Sequence, residues 1–192
     1  RRLGRVEFTS LLAMSMALAA LGIDTILPAF GAMRTEFGLA PDSTEVAGVV
    51  TAYFFGLAIG QIVYGPLADR YGRKPTLYVG YGMYLLGAIA SALAPSLAWV
   101  LVARFVWGLG AAGPRVITLS VVRDRFRGEE MSRAMSFIMA VFIVVPIVAP
   151  TLGAVLLNFG SWRLIFWSCA VLAAAMAVWA TRLPETLDPA NQ

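Results

Sequence analysis

The 192-residue chain contains no histidine, a single cysteine and few charged residues, which make up 14% of its length. Without histidine, it lacks the commonest general base and metal ligand of proteins. The sequence also contains no G-x-S-x-G nucleophile elbow, no cluster of metal-ligating residues and no glycine-rich phosphate loop. We therefore predict that the chain is not an enzyme and needs no cofactor. The lone Cys169 excludes a disulfide within one chain.

Hydrophobic residues are abundant instead, at 59% of the sequence, which is more than a soluble globular domain carries. Six apolar stretches are each near the length of about 20 residues with which an α-helix crosses a bilayer. They cover residues 8–30, 46–67, 76–94, 97–122, 134–157 and 164–181. Because a backbone in lipid must satisfy its own hydrogen bonds, these stretches favour helices. The sequence predicts an all-α, polytopic membrane protein in which residues 1–182 form a six-helix bundle.

Basic residues concentrate at one end of these predicted spans. That end carries Arg1, Arg2, Arg5, Arg70, Arg73, Lys74, Arg123, Arg125, Arg127, Arg133 and Arg182, and the other end carries Arg34 and Arg163. Since cytoplasmic loops carry the excess of lysine and arginine, we expect both termini in the cytoplasm and the chain in the cytoplasmic (inner) membrane. The net charge of +4 is spread over short loops, which argues against binding to nucleic acid.

The segment between the second and third spans reads GPLADRYGRKP, from Gly65 to Pro75. Its charges need water or headgroups, so we expect a tight turn at the membrane surface, where Gly72 permits a positive φ. A basic loop is by itself typical of any cytoplasmic connection. This segment, however, resembles the signature of the major facilitator superfamily, G-x-L-A-D-R-x-G-R-K, at every specified position. The matching residues are Gly65, Leu67, Ala68, Asp69, Arg70, Gly72, Arg73 and Lys74.

The resemblance implies the N-terminal six-helix half of a twelve-helix facilitator, built as a 3+3 inverted repeat, with residues 183–192 beginning the central cytoplasmic loop. Multidrug–proton antiporters of the Bcr/CflA type look most similar. The implied activity is secondary transport by alternating access: efflux of small hydrophobic or drug-like molecules, driven by the proton gradient. The alternative is an isolated half-domain or membrane interaction module that transports nothing.

Three ionisable residues lie inside the predicted spans, where a charge is costly and calls for a partner, a watery cavity or a function. They are Asp24, Arg104 and Arg115. Asp24 is the only carboxylate well inside a span, so we predict that it is the proton-coupling group. Asp24 and Arg104 are expected at similar depth, where they can pair or share water. Two arginines against one aspartate would equally suit an anionic substrate.

Arg104, Gly108, Gly110, Ala111 and Ala112 resemble a second signature of the superfamily, R-x-x-x-G-x-G-A-A, whose arginine is implicated in proton coupling in drug antiporters. We assign four residues to a substrate cavity, namely Arg115, Trp107, Tyr53 and Gln61. In the alternative interpretation, both arginines extend towards the membrane surfaces and the small residues only pack helices. Pro114 predicts a local break near Arg115 because proline lacks a backbone donor.

The resemblance also implies a cytoplasmic gate. Its residues are Gly65, Asp69, Arg70, Gly72, Arg73, Lys74 and Asp124. Asp124 would pair with Arg73, while Asp69 would cap a helix of the other half; alternatively, Asp124 is a solvated interfacial residue. In the fifth span, Pro146, Pro150 and Gly153 resemble the antiporter motif and predict a hinge.

A lone six-helix half would leave one wall of its cavity open. We therefore expect a second bundle, either a C-terminal half or a second copy in a parallel homodimer whose two-fold axis follows the membrane normal. The other expected partners are a small-molecule substrate, protons and the lipid bilayer, and no nucleic acid.

Overall fold

The computed structural model describes residues 3–187, and within this range the chain is all-helical. Its α-helices are α1 (Arg5–Asp24), α2 (Phe30–Glu36), α3 (Gly48–Tyr71), α4 (Arg73–Ala92), α5 (Leu97–Arg125), α6 (Gly128–Leu157) and α7 (Arg163–Trp179). Short 3-10 turns lie at Leu27–Ala29, Glu45–Ala47 and Ala180–Arg182. The predicted all-α fold class is thus confirmed. Arg1, Arg2 and residues 188–192 of the predicted loop lie outside the described residues.

Five segments of the described chain are long and apolar enough to cross a membrane. They are Arg5–Glu36, Glu45–Tyr71, Leu97–Arg125, Gly128–Leu157 and Arg163–Arg182. Helix α4 is not among them because its charged start, three tyrosines and three glycines lower its mean hydropathy. The buried tyrosines satisfy their hydroxyls on α1: Tyr84 donates to the Leu18 carbonyl at 2.9 Å, and Tyr81 lies 2.7 Å from the Ser15 hydroxyl. One face of helix α4 is therefore buried in the bundle, while the opposite face, which carries Val79 and Leu86, is exposed.

The predicted first span, 8–30, is not a single helix. Helix α1 ends at Asp24, and a 3-10 turn at Leu27–Ala29 leads into the short α2. Pro28 has no N–H to donate to the preceding turn, so the helical ladder cannot continue through it. The Thr25 hydroxyl donates to the Leu21 carbonyl at 2.6 Å, which satisfies one of the acceptors that the break leaves free.

We expected the whole signature segment to be a surface turn, but the segment is almost entirely helical. Helix α3 runs on to Tyr71 and α4 begins at Arg73, so only Gly72 separates them. Gly72 adopts a φ of 99°, a value that side chains other than glycine disfavour. The chain therefore reverses at one residue, and charges on both helix ends are brought together.

The prolines do not interrupt the long helices. Helix α5 is continuous through Pro114, so the predicted break near Arg115 is wrong, and α6 is continuous through Pro146 and Pro150. A Cβ atom added to Gly80 of α4 would lie 2.9 Å from the Pro114 ring, which shows how closely α4 covers this turn. Packing by a neighbouring helix supports the weakened backbone of such a turn.

Helix α5 lies between α3 and α4, and the glycines of the second signature permit this packing. A Cβ atom on Gly108 would lie 2.0 Å from the Tyr53 carbonyl oxygen of α3. One on Gly110 would lie 2.2 Å from the Tyr84 nitrogen of α4. No side chain fits at either position, so the second signature fixes the backbone contacts of α5 with both neighbours.

Candidate functional site

A charge network closes one end of the bundle, which we call the signature end because α3 meets α4 there at Gly72. Arg73 Nη1 lies 2.6 Å from Asp69 Oδ1, and Arg73 Nε lies 2.9 Å from Asp124 Oδ2. The side chain of Arg73 is only 10% exposed. The structure therefore brings these three sequence-predicted residues together, and one guanidinium links α3, α4 and α5. Asp69 pairs with Arg73 of this same bundle, whereas the resemblance implied that Asp69 caps a helix of the other half of the facilitator.

The anchor of this network, Glu185, was missed by the sequence analysis. Its Oε1 accepts hydrogen bonds from the backbone N–H groups of Arg73, Thr186 and Leu187 at 2.8–3.0 Å, and its Oε2 accepts one from Lys74 at 2.9 Å. Partial burial alone would raise the pKa of Glu185, but these N–H donors outweigh it and lower the pKa. The carboxylate thus caps the start of α4. The signal for it was a carboxylate directly after a proline that follows the last span.

The side chains of the other predicted gate residues lie outside the network. Arg70 is exposed and stacks on Tyr71, with its Cζ 5.3 Å from the ring centroid. Lys74 Nζ donates to the Thr181 carbonyl at 2.8 Å, which joins α4 to the 3-10 turn after α7. A Cβ atom on Gly65 would meet nothing within 4 Å in the described residues. Gly65 therefore faces open space, where a partner helix has room to approach.

Arg104 is completely buried and has no carboxylate within 4 Å in the described part of the chain. Its Nη1 donates to the Gly22 carbonyl at 2.6 Å and its Nε to the Val49 carbonyl at 3.2 Å. The predicted pairing with Asp24 is therefore not present, because Arg104 uses backbone oxygens of α1 and α3. Arg104 approaches Asp24 only through its hydrogen bond to the carbonyl of Gly22, which lies two residues before Asp24 in the sequence.

Tyr53 and Trp107, two of the predicted cavity residues, instead surround Arg104 inside the bundle. Their ring centroids lie 4.5 and 4.7 Å from its Cζ, and both residues are fully buried. Phe166 of α7 completes the aromatic shell at 5.8 Å. Faces of aromatic rings attract a desolvated cation, so the shell compensates part of the charge. Neither Tyr53 nor Trp107 lines an open cavity in this structure.

The remaining intramembrane residues are more accessible. Asp24 is partly exposed at the end of α1 and has no ion-pair partner within residues 3–187. Arg115 is half-buried, with its Cζ 5.3 Å from the Phe142 ring of α6. Gln61 is exposed on α3. The structure therefore does not join the four predicted cavity residues into one site, and Arg115 is the more exposed of the two arginines.

Helix α6 lies close to the break after α1 at Gly153, a residue of the predicted hinge. A Cβ atom on Gly153 would lie 2.0 Å from the Thr25 carbonyl oxygen, at the break after α1. Pro146 is exposed and Pro150 is half-buried. The absence of a side chain at Gly153 is thus what lets α6 lie against this irregular segment.

The sequence profile described as Major Facilitator Superfamily matches residues 12–192. The chain belongs to the major facilitator superfamily. This confirms the resemblance drawn from the two signatures, and it identifies the chain as an integral membrane protein of a transporter family. The glycine-dependent packing of α5 and the Arg73 network are therefore features of a facilitator bundle.

Several curated members of the superfamily resemble the chain along most of its length. It is 33% identical over 186 residues to the "Uncharacterized MFS-type transporter YdgK" of Bacillus subtilis, covering 95% of this chain and 46% of that one. It is 32% identical to the "Bicyclomycin resistance protein homolog" of Haemophilus influenzae, covering 91% and 44%. It is 34% identical to a "Chloramphenicol resistance protein" of Pseudomonas aeruginosa, covering 88% and 40%. The chain spans less than half the length of these relatives.

Solved facilitator structures share the fold. The D-xylose–proton symporter superposes with a TM-score of 0.81 at 16% identity, over 94% of this chain and 48% of that one. A human organic anion transporter superposes with a TM-score of 0.77 at 18% identity, over the whole of this chain and 50% of that one. At such identities these similarities establish the facilitator fold and nothing about the substrate.

Proposed function

We propose that this facilitator chain is the six-helix half of a secondary active transporter that expels small hydrophobic or drug-like molecules in exchange for protons. The observation that carries the proposal is the Arg73 network. It joins the ends of three helices through ion pairs that a conformational change can break and remake. The resistance functions in the names of its relatives support a drug-like substrate.

The signature end faces the cytoplasm in this proposal, with both termini on that side of the inner membrane. The basic residues that lie there, among them Arg70, Arg123 and Arg127, support this orientation. With the network intact, the bundle is held in the state that is closed towards the cytoplasm and open outwards. Breaking one ion pair shifts this equilibrium without changing the intrinsic affinity of the substrate-binding state.

Asp24 is the proton-coupling carboxylate in this mechanism. It is partly exposed at the break after α1, and the Gly22 carbonyl nearby accepts a hydrogen bond from Arg104. Protonation of Asp24 removes a negative charge from this break and thereby changes the field at the Arg104 guanidinium. Arg104 in turn contacts α3 through Val49, so the charge change acts on two helices. The proton gradient is the only driving force, and no cofactor takes part.

Proton-driven flux in proteoliposomes tests this assignment. We expect Asp24→Asn to abolish flux coupled to the proton gradient while the helical content stays unchanged. Asp42→Asn is the matched control, because Asp42 is exposed in the connection before α3 and carries the same charge. Unchanged coupled flux in Asp24→Asn would overturn the role of this carboxylate.

A second bundle completes the transporter in this proposal, supplied by a C-terminal half or by a parallel second copy. Exposed Gln61 and half-buried Arg115 are the residues assigned to the substrate side. Cysteines on α1 and α5 are expected to cross-link two copies in native membranes if the second bundle is another copy. A monomer by cross-linking and by mass would remove the homodimer.

The alternative is a half-domain that folds without transporting. Its supporting observation is that the chain covers less than half of its curated relatives. Absence of proton-dependent flux from proteoliposomes of the purified, fully helical chain would favour this alternative. Flux above the level of protein-free liposomes would exclude it.

A further inference from the structure

A second cluster of polar side chains lies at the end of the bundle opposite the signature end. Glu36, the last residue of α2, accepts hydrogen bonds from Trp162 Nε1 at 2.5 Å and from Arg163 Nη1. Arg163 is the first residue of α7, and its Nη2 donates to the Ala94 carbonyl at 3.0 Å. Ala94 belongs to the connection between α4 and α5. One guanidinium therefore joins α2, α7 and the α4–α5 connection.

This cluster mirrors the Arg73 network with the two halves of the bundle exchanged. Arg73 begins α4, the third long helix, and pairs with Asp124 near the end of α5, the fourth. Arg163 begins α7, the sixth, and pairs with Glu36 at the end of the first apolar segment, Arg5–Glu36. In an inverted repeat of three helices each, the first helix corresponds to the fourth and the third to the sixth, at opposite ends of the bundle. The cluster is therefore the repeat-related counterpart of the Arg73 network.

Helix α2 depends on contacts of this kind for its position. The break after α1 interrupts the hydrogen-bond ladder, so α1 does not hold α2 by helical continuity. At seven residues, α2 is also too short to be a stable helix by itself. The Arg34 Nε bond to the Ser43 carbonyl, at 2.9 Å, reaches only the connection that follows α2. Besides the apolar packing of buried Met33, the bonds from Trp162 and Arg163 are what fastens α2 to a long helix in the described part of the chain.

The same cluster leads to the buried Arg104. Trp162 is itself buried and packs between Phe37, with ring centroids 5.8 Å apart, and Phe166, at 5.4 Å. Phe166 lies 5.3 Å from the Trp107 ring and belongs to the aromatic shell of Arg104. Rings packed edge to face stabilise one another beyond the burial of their apolar surface. The end of α2 is therefore joined to the shell of Arg104 through two aromatic rings.

We propose that Glu36, Trp162 and Arg163 form a conformational latch, the Arg163 latch, whose opening releases α2 but not α1. With the latch closed, α2 is held on α7 and the break after Asp24 keeps its shape. With the latch open, α2 and the connection to α3 move together, while α1 stays packed in the bundle. Such local opening is possible because few bonds hold a short segment beyond a break. The proposal does not depend on the transport mechanism or on the Arg73 network.

Hydrogen exchange of the purified chain in lipid nanodiscs, measured by mass spectrometry, tests the latch. We expect Glu36→Gln to accelerate exchange of the amides of residues 33–38 about tenfold, equivalent to about 1.4 kcal/mol. The physical reason is that a neutral amide accepts weaker hydrogen bonds than a carboxylate. Amides in the middle of α1 should exchange at an unchanged rate. Glu45→Gln is the matched control, because Glu45 is exposed at the same end of the bundle, in the 3-10 turn before α3.

A double-mutant cycle separates one latch from two independent contacts. Arg163→Gln is expected to accelerate exchange of the same amides about tenfold. The double variant Glu36→Gln/Arg163→Gln should also exchange about tenfold faster, and not about a hundredfold, because a link between two residues is lost only once.

Spin-label distances show whether α2 itself moves. Nitroxide labels are attached to Ala32→Cys on α2 and Val171→Cys on α7, two exposed positions, after Cys169→Ser removes the native thiol. We expect a narrow distance distribution in this labelled background and in its Glu45→Gln variant. In the Glu36→Gln variant we expect the distribution to broaden towards longer distances.

Four outcomes would overturn the proposal. Equal exchange of residues 33–38 in Glu36→Gln and Glu45→Gln would mean that this carboxylate does not hold α2. An additive, about hundredfold acceleration in the double variant would mean that Glu36 and Arg163 act separately. Faster exchange throughout α1 would show a general loss of stability instead of the release of α2. An unchanged distance distribution in Glu36→Gln would show that α2 stays in place.

Discussion

The Glu185 anchor gives a prediction whose size follows from the loss of one of its four hydrogen bonds and of its negative charge. Glu185→Gln preserves the shape of the side chain and one acceptor oxygen, but it places an NH2 group opposite the Lys74 N–H, now 2.9 Å from Oε2. One lost bond contributes about 1 kcal/mol, and the lost negative charge at the start of α4 about 0.5 kcal/mol. The sum of about 1.5 kcal/mol is roughly a tenfold change in the local opening equilibrium.

Hydrogen exchange measured by mass spectrometry reports this change directly. We expect the Arg73 and Lys74 amides of Glu185→Gln to exchange about tenfold faster than those of the wild type, while amides in the middle of α5 stay protected. Glu129→Gln is the control, because Glu129 is 79% exposed and its ion pair to Arg133 contributes little. Equal exchange at residues 73 and 74 in both variants would refute the anchoring role.

The same carboxylate gives a pH dependence with a defined sign. The pKa of Glu185 is below its ordinary value of 4.5 in the folded chain. Its contribution is therefore fully present above pH 4.5 and is lost as the pH falls through the lowered pKa. Protection of the Arg73 amide should decline in this acidic range in the wild type and stay flat in Glu185→Gln. A wild-type profile without this decline would contradict the reasoning.

Further substitutions test the packing, the buried cation and the network. Gly110→Ala is expected to destabilise the bundle by about 3 kcal/mol or more because the new methyl group meets the α4 backbone. The control Gly82→Ala, whose methyl group meets nothing within 4 Å, should leave the unfolding temperature unchanged. Equal unfolding temperatures of the two variants would contradict the packing. Arg104→Lys should cost about 2 kcal/mol because lysine loses the planar donors that reach two carbonyls, and an unchanged unfolding temperature would refute this. Asp124→Asn should raise cysteine labelling from the signature end, and an identical labelling pattern would count against a gate.

The amino-acid sequence by itself determined the fold class, the family and three members of the Arg73 network, namely Asp69, Arg73 and Asp124. Apolar stretches long enough to span a bilayer require helices, because backbone groups in lipid must bond within their own segment. Asp69 and Arg73 are four residues apart across a reversal, and the resemblance to the family implied that Asp124, which ends a span on the same side, pairs with Arg73. Residue types alone carry this information.

The tertiary structure decided which backbone groups serve as hydrogen-bond partners of the side chains. Arg104 binds carbonyl oxygens of Gly22 and Val49, and every residue of the chain offers such an oxygen, so no sequence pattern marks those two. For the same reason the sequence did not reveal that Glu185 caps the backbone of α4. At Pro114 the sequence predicted a break that the structure does not have. Helix α5 stays intact there because the neighbouring α4 packs against it. Contacts between backbones in a close-packed bundle exist only once the helices are assembled.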